Sequence, residues 1–370
     1  MASHAVHAII HVGMPKCGSS ALQIALSNHL LSGSYSYTVI RENAEVLNGE
    51  LVKRLAKTSA TGYMPSVSAR KIADWKSTQW QDCRNAIAKI AELGNIPVFS
   101  NEAWGNQFSQ FAKLDILRRL GLKADVVMYV RPQVQWLNSA WWQWGAWTGQ
   151  PFDLWFKSSI QKADWFNVYQ EWLAVPGVDN VTVRLLPNDV VSDFNQFLEQ
   201  PEAATSRANA SLPAYLLRFF QQHEELRSGA HSSEIEFVMA RHVDFPKAST
   251  PWVLSDQHIS FCLSYYESSN LKLLNALNEK QKLEMRQCSA WWAADYYSDY
   301  CLESPYQTPL YINDVELIAK NAMHALVSLD RSHRNLQRRY DLLQQQSTTA
   351  GSPTTKSLLR SWLRRFTRTS

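Results

Sequence analysis

No apolar run in the 370 residues approaches the roughly 18 that a membrane-crossing helix needs, so no transmembrane segment is expected. A basic region followed by an apolar core is also missing from the N-terminus, where strand-like residues begin at Ala8-Ile9-Ile10, and no secretory leader is expected. Cysteine is sparse and odd in number. The five residues Cys17, Cys83, Cys262, Cys288 and Cys301 are scattered, with no C-x-x-C pair, so neither a disulfide framework nor a zinc-ligand set is indicated. A basic globular body is missing too. The net charge is +4, but residues 331–370 hold nine Lys or Arg against one Asp, which leaves residues 1–330 at −4. That balance excludes a broad nucleic-acid-binding face, so no nucleic-acid partner is expected. Together these absences make the cytoplasm the expected compartment. There is no internal repeat, and the length suits one large domain or two small ones.

The most informative stretch is Ile9-Ile10-His11-Val12-Gly13-Met14-Pro15-Lys16-Cys17-Gly18-Ser19-Ser20-Ala21-Leu22-Gln23. It reads as an apolar strand, a glycine-bounded loop and the start of a helix. Such a loop turns backbone N–H groups and the positive end of a helix dipole toward one point, where an anion is stabilised. Lys16 adds a full charge, and Ser19 and Ser20 add hydroxyl donors. Gly13 and Gly18 have G-x-x-x-x-G spacing, but Ser19 stands where a Walker loop requires Lys. The strand Val126–Val130 ends in Arg131 rather than in an acid for Mg²⁺. The pattern is a phosphate cradle for which no metal is expected.

The segment Pro15-Lys16-Cys17-Gly18-Ser19-Ser20, followed by Ala21-Leu22-Gln23, closely resembles the 5′-phosphosulfate loop of PAPS-dependent sulfotransferases. That resemblance implies a P-loop-like fold, PAPS as donor and PAP as product. It assigns Pro15, Lys16, Cys17, Gly18, Ser19 and Ser20 to the donor. A second apolar strand, Asp125 to Val130, ends in Arg131, and Ser139 follows eight residues later. A guanidinium fork makes paired, charge-assisted bonds to phosphate oxygens, and the resemblance assigns Arg131 and Ser139 to the 3′-phosphate. Many members place an Asp or Asn between the Arg and a Pro; here Pro132 follows Arg131 directly.

Ile96 to Ser100 reads as a further strand with Glu102 just beyond it. Ligands of open parallel sheets bind outside the carboxyl ends of the strands, which places Lys16, Glu102 and Arg131 on one edge. Carbohydrate-type members resemble this in using a Glu as base, so Glu102 and Lys16 are the catalytic candidates. An acid at position 102 also suits a helix cap, or a pairing with Lys16 or Arg131. His11 reads as a packed histidine; His242 and His258 are alternative bases. Cys17 reads as a small residue tolerated in the loop, with positive surroundings that could lower its pKa.

Along the chain, helices are expected at 19–31, 86–93, 114–120, 164–174, 193–199, 216–226 and 260–277, and a strand at 181–186. Residues 32–80 are mixed, and 200–213 read as a polar linker. The result is a three-layer α/β/α architecture with a central parallel sheet. Its expected domain is 1–330, with a helical C-terminal cap over about 205–330. Residues 331–370 form a basic tail, with a flexible linker at 344–356 and a short amphipathic helix at 358–368. That helix suits an anionic membrane surface, at the cytoplasmic face of the inner membrane. The loop 241–246 is unassigned. Fifteen Trp residues are present. Trp136, Trp141, Trp142, Trp144, Trp147 and Trp155 cluster after the second motif, as a core stripe or as a platform for sugar faces. Position and charge make residues 34–80 a candidate acceptor wall, with Arg41, Arg70 and Lys71 either as contacts or, the favoured reading, as solvated surface charges. The expected acceptor is a glycan or glycolipid hydroxyl. A nucleotide-dependent kinase with a degenerate loop and a non-catalytic glycan-assembly protein at the membrane are the alternatives.

Overall fold

A computed structural model describes residues 5–28, 31–200, 212–230, 234–243, 250–300, 302–305 and 310–349. The chain divides into two compact units, residues 1–240 with 246–310 and residues 241–245 with 311–370. In chain order the elements are β1 (Val6–Val12), α1 (Ser19–Asn28), β2 (Tyr35–Ile40), β3 (Val46–Asn48), α2 (Gly49–Ala56), α3 (Ala69–Ile72), α4 (Ser77–Glu92) and β4 (Ile96–Asn101). There follow α5 (Phe108–Lys113), α6 (Ile116–Arg119), β5 (Leu122–Val130), α7 (Gln133–Gln143), α8 (Phe152–Ser159), α9 (Trp165–Leu173), β6 (Val178–Leu185) and α10 (Val190–Phe197). The last are α11 (Ala214–Gln222), α12 (Glu234–His242), α13 (Asp256–Ala276), α14 (Glu279–Gln287) and α15 (Ile312–Thr349).

The first unit is α/β. Its six-stranded sheet has the order β3-β2-β4-β1-β5-β6. All neighbours are parallel except β2 and β3. The central strands are near-continuous apolar runs because both faces of a parallel sheet are covered. Val126 to Val130 are all buried, as are Ala8 to Val12. The helices that pack directly on the strands are α1, α2, α4, α6, α9 and α14, while α10 packs on α1 and α5 and α13 pack on α9. This is compatible with three layers. The chain leaves β1 toward β2 and leaves β5 toward β6. The carboxyl ends of these adjacent strands therefore form a topological switch point, where open α/β sheets bind ligands.

The pattern of the sequence misses β2 and β3, which lie within the stretch read as mixed. Ser36 and Thr38 interrupt the apolar run, yet Thr38 is buried, and its hydroxyl donates to the Ser36 carbonyl at 3.0 Å. Helix α4 begins at Ser77, well before the expected start at 86, and α13 begins at Asp256 behind a Ser255–His258 capping box. The unassigned loop at 241–246 begins inside α12, and residues 244–246 lie outside the described residues.

In the second unit, α15 is 38 residues long. The domain boundary expected at 330 falls inside this helix, and residues 344–349 of the expected flexible linker continue it. A Pro-free, Gly-free run from Ile312 to Thr349 gives the helix no stop signal. The expected amphipathic helix at 358–368 lies outside the described residues, as do Cys301 and residues 201–211 of the expected polar linker.

Candidate functional site

The loop after β1 is held by its own backbone. Cys17 N–H donates to the Met14 carbonyl at 3.0 Å, and Leu22 N–H donates to the Gly18 carbonyl at 3.1 Å to start α1. Two residues take left-handed backbone angles, Lys16 at φ 62° and Gly18 at φ 83°. Glycine adopts this freely, whereas for Lys16 it costs about 1–2 kcal/mol. Alternating hands in successive residues turn N–H groups inward, making the concave nest that receives anions. Ser19 Oγ donates to the Met14 carbonyl at 3.2 Å, so this hydroxyl also braces the loop.

Pro132 occupies the N-cap of α7, where the missing N–H removes no helix bond, and Trp136 N–H closes the first turn on its carbonyl at 3.0 Å. The direct Arg131-Pro132 step therefore leaves Ser139 one helical face away from Arg131. The guanidinium Nη1 reaches Ser139 Oγ and the Lys16 carbonyl, both at 3.3 Å, and Nη2 reaches Gln135 Oε1 at 3.4 Å. All three contacts lie beyond the usual N–H···O range of roughly 2.7–3.2 Å, and the buried Nε has no partner. A buried guanidinium with slack contacts and a free donor has capacity for an incoming anion.

Glu102 opens a short 3₁₀ turn, Glu102–Asn106, directly after β4. The cap of that turn is Asn101, whose Oδ1 accepts from Ala103 N–H at 2.6 Å. Close backbone approach sets the turn against the β1 loop. A methyl on Gly105 would lie 2.7 Å from the Gly13 carbonyl oxygen, and one on Gly13 would lie 2.8 Å from Glu102 Cα. Neither position has room for a side chain, and this contact brings Glu102 beside Lys16. Among the described residues the Glu102 carboxylate has no hydrogen-bond or ion-pair partner, so neither alternative role for it, cap or salt bridge, is realised.

A cleft of about 520 Å³ gathers Lys16, Gly18, Ser19, Ser20, Glu102, Arg131 and Ser139 in its wall. Pro15 and Cys17 do not line it; Cys17 is buried beneath the loop. Burial pushes the Cys17 thiol up to about 12, so it is not the low-pKa thiol that positive surroundings alone would make. Burial lowers the Lys16 pKa; the Glu102 carboxylate opposes this, while Arg131 and Arg227 add to it. Burial raises the Glu102 pKa, and Lys16 opposes this. Burial also lowers the Arg131 pKa. Each ion is held at a cost that an opposite charge in the cleft would relieve.

The histidines stand elsewhere. His11 is fully buried, its Nδ1 shares a 2.8 Å hydrogen bond with Ser100 Oγ, and burial pulls it down to about 3. His258 caps α13 and meets Asp153 at 3.1 Å, and His242 is exposed; neither lines the cleft. Arg41 and Lys71 form exposed ion pairs with Glu45 and Glu42, and Arg70 is exposed, so none of these three faces the cleft. From residues 34–80 it is Thr61 and Tyr63 that line it. Burial, and then the Glu102 charge, pushes the Tyr63 hydroxyl up to about 12.

Sequence reasoning also missed how the tryptophans serve the site. Trp136, Trp141 and Trp155 are core, whereas Trp142 and Trp144 line the cleft. Three indole N–H groups donate to the backbone of the three converging segments. Trp136 bonds the Pro15 carbonyl at 2.7 Å, Trp165 the Arg131 carbonyl at 2.8 Å, and Trp172 the Gly105 carbonyl at 3.2 Å. Gln143 was missed as well: its Oε1 accepts from Lys16 Nζ at 3.2 Å, and its carbonyl accepts from buried Arg227 at 2.6 Å. Arg227 stacks on Trp147 at 4.1 Å and pairs with Glu236. The only signal in the sequence was the density of Trp after Arg131.

The sequence matches no protein-family model and no curated protein.

Proposed function

We propose that this chain is a P-loop-like, PAPS-dependent sulfotransferase that moves a sulfuryl group to a hydroxyl of a glycan or glycolipid. The observation that carries the reading is the convergence, at the β1–β5 switch point, of an anion nest with Lys16, a second cation with a hydroxyl beside it, and an unpartnered carboxylate. Two cationic subsites fit a donor with two separate phosphate groups. The unsatisfied Arg131 Nε and the slack contacts of its fork supply the capacity for the second.

PAPS supplies the sulfuryl group; the chain's residues bind, orient and move a proton. Gly18, Ser19 and Ser20 hold the 5′ side with loop and helix N–H groups, and Lys16 stabilises charge growing on the leaving phosphate oxygen. Such preorganised charges act most strongly in a site shielded from water. Arg131 and Ser139 hold the 3′-phosphate. Glu102, its pKa raised by burial, accepts the acceptor hydroxyl's proton, a contribution of roughly 10²–10⁴-fold. Trp144 and Tyr63, in the same wall, offer faces to a sugar ring. No described helix is long and apolar enough to cross a membrane, and we place the enzyme in the cytoplasm, peripheral to the inner membrane.

Calorimetry of PAP and of ATP–Mg²⁺, each with and without EDTA, tests the reading on wild type and Lys16→Ala. Metal-independent PAP binding that Lys16→Ala weakens is expected. A folded wild-type protein that binds ATP–Mg²⁺ and not PAP overturns it in favour of a kinase; one that binds neither leaves a non-catalytic protein.

A further inference from the structure

Helix α15 carries an apolar seam of a particular period. Val315, Ala322, Leu329 and Leu336 follow one another at seven-residue steps, and Ile312, Ala319, Leu326, His333 and Tyr340 form a second such column. The two columns interleave at steps of three and four from 312 to 340. That is the a/d repeat of a coiled coil, sustained over about four heptads and roughly 43 Å of helix. The period is 3.5 residues, not the 3.6 of a helix lying on a globular core.

The large aliphatic side chains of the seam are exposed. Ile312 is 74% exposed, Leu326 65% and Leu336 67%. Ile318 and Ala325, just beside it, are already buried. The polar residues find partners on the helix itself: Arg334 with Asp330 at 2.8 Å, and Gln337 with Asp341 at 3.0 Å. These two pairs lie beside the seam, whose aliphatic members Ile312, Leu326 and Leu336 remain exposed.

We infer that α15 pairs with the α15 of a second copy as a parallel, in-register, two-stranded coiled coil. A knob-into-hole seam accepts only a helix with the same period, and a second copy is the partner sure to present it. The polar members decide the orientation. His333 and Tyr340 both sit in the a column. A parallel in-register pair sets His333 against His333 and Tyr340 against Tyr340. An antiparallel pair sets each of them against a d residue, every one of which is Val, Ala or Leu between 315 and 336. Leucines at Leu329 and Leu336, in the d column, suit two strands. With Ile318 and Ala325 already buried, the exposed flanking positions that meet across a parallel pair are Ser332 and Gln337, with no like charges opposed.

The test is sedimentation of the full chain at micromolar concentration. Wild type is expected to run as a dimer. The double variant Leu329→Asp/Leu336→Asp is expected to run as a monomer. Leu342→Asp, an equally drastic change at a 58% exposed leucine outside the seam, is expected to leave the dimer intact. Because aspartates can melt a helix, Leu329→Ala/Leu336→Ala is measured beside it; with helicity unchanged by circular dichroism, it is expected to weaken the dimer at least tenfold. Leu336→Cys is expected to cross-link two copies on oxidation, and Leu342→Cys is not. A monomeric wild type, a dimer indifferent to both seam variants, or equal cross-linking at 336 and 342 overturns the inference. PAP binding reports separately on the sulfotransferase reading, since the seam variants leave the cleft untouched.

Discussion

Arg131→Met, read with two ligands, separates what the guanidinium does for a 3′-phosphate from what it does for the loop. PAP and AMP differ only in that phosphate. In the protein alone, Arg131 makes three contacts of 3.3–3.4 Å and leaves Nε unpartnered. Bonds that long contribute little, so the variant should unfold within a few degrees of wild type. Toward a phosphate, each charge-assisted bond is worth about 1.5–3 kcal/mol. Two bonds of the fork therefore amount to at least about 3 kcal/mol, or roughly 100-fold in affinity. Calorimetry should show that loss on PAP and almost none on AMP. Nη1 also holds the Lys16 carbonyl, so a loosened loop is the rival cause. It would weaken both ligands alike. Ser139→Ala removes a group on the 3′ side without touching that carbonyl, and should cost about 1 kcal/mol on PAP alone. Equal losses on PAP and AMP in both variants would refute the assignment.

Three further outcomes follow from the same geometry. Lys16→Gly relieves the left-handed strain at φ 62° and removes a buried charge, so the melting temperature should rise by the equivalent of about 1 kcal/mol while PAP binding falls; a variant that melts lower contradicts the strain argument. Glu102→Gln should cut turnover, spare PAP binding and stabilise the fold at pH 7. The folded-state pKa of Glu102 is raised, so ionisation weakens the fold as pH rises through that value. The stability gain should shrink on acidification and vanish below about pH 4, the ordinary carboxylate value. A gain that survives at lower pH has another origin. Trp165→Phe keeps the ring and removes the 2.8 Å bond to the Arg131 carbonyl; a loss of about 1–3 kcal/mol in stability is expected from the stranded acceptor, with thermal melting as the assay and no change as the contrary result.

What could be read from the chain differs by the kind of force involved. The strands β1, β4 and β5 declare themselves because their middles are buried on both faces and carry apolar runs, Ala8–Ile10, Pro97–Phe99 and Val126–Val130. The loop declares itself because a nest with a cation needs particular residues at particular steps, and Lys16 and Gly18 stand at those steps, as Arg131 and Ser139 stand eight residues apart beyond β5. Strand β2 is hidden by Ser36 and Thr38, because a polar side chain that satisfies itself within the strand looks, in sequence, like a turn. The seven-residue spacing of α15 lies in the sequence beside the basic residues of 331–370, whose charge pattern is the stronger local signal.

The supports of the site were not legible for a deeper reason. Trp136, Trp165 and Trp172 each bond a carbonyl 34 to 121 residues away. An indole donor has no local signature, since the same residue with its N–H unpaired would pack in the same core. Gly105 poses the same difficulty: its bareness is required by Gly13, far earlier in the chain. Yet these contacts tie the three segments of the cleft to the core, where the loop's own backbone bonds fix only its local shape and the slack contacts of Arg131 fix little. On the proposed reading, the aromatic scaffold holds the cleft in a conformation that is unfavourable to its own charges, and an anion and a hydroxyl would relieve that cost. Replacing a support with its nearest isostere should therefore reduce turnover more than it reduces donor affinity, whereas replacing Arg131 should do the reverse.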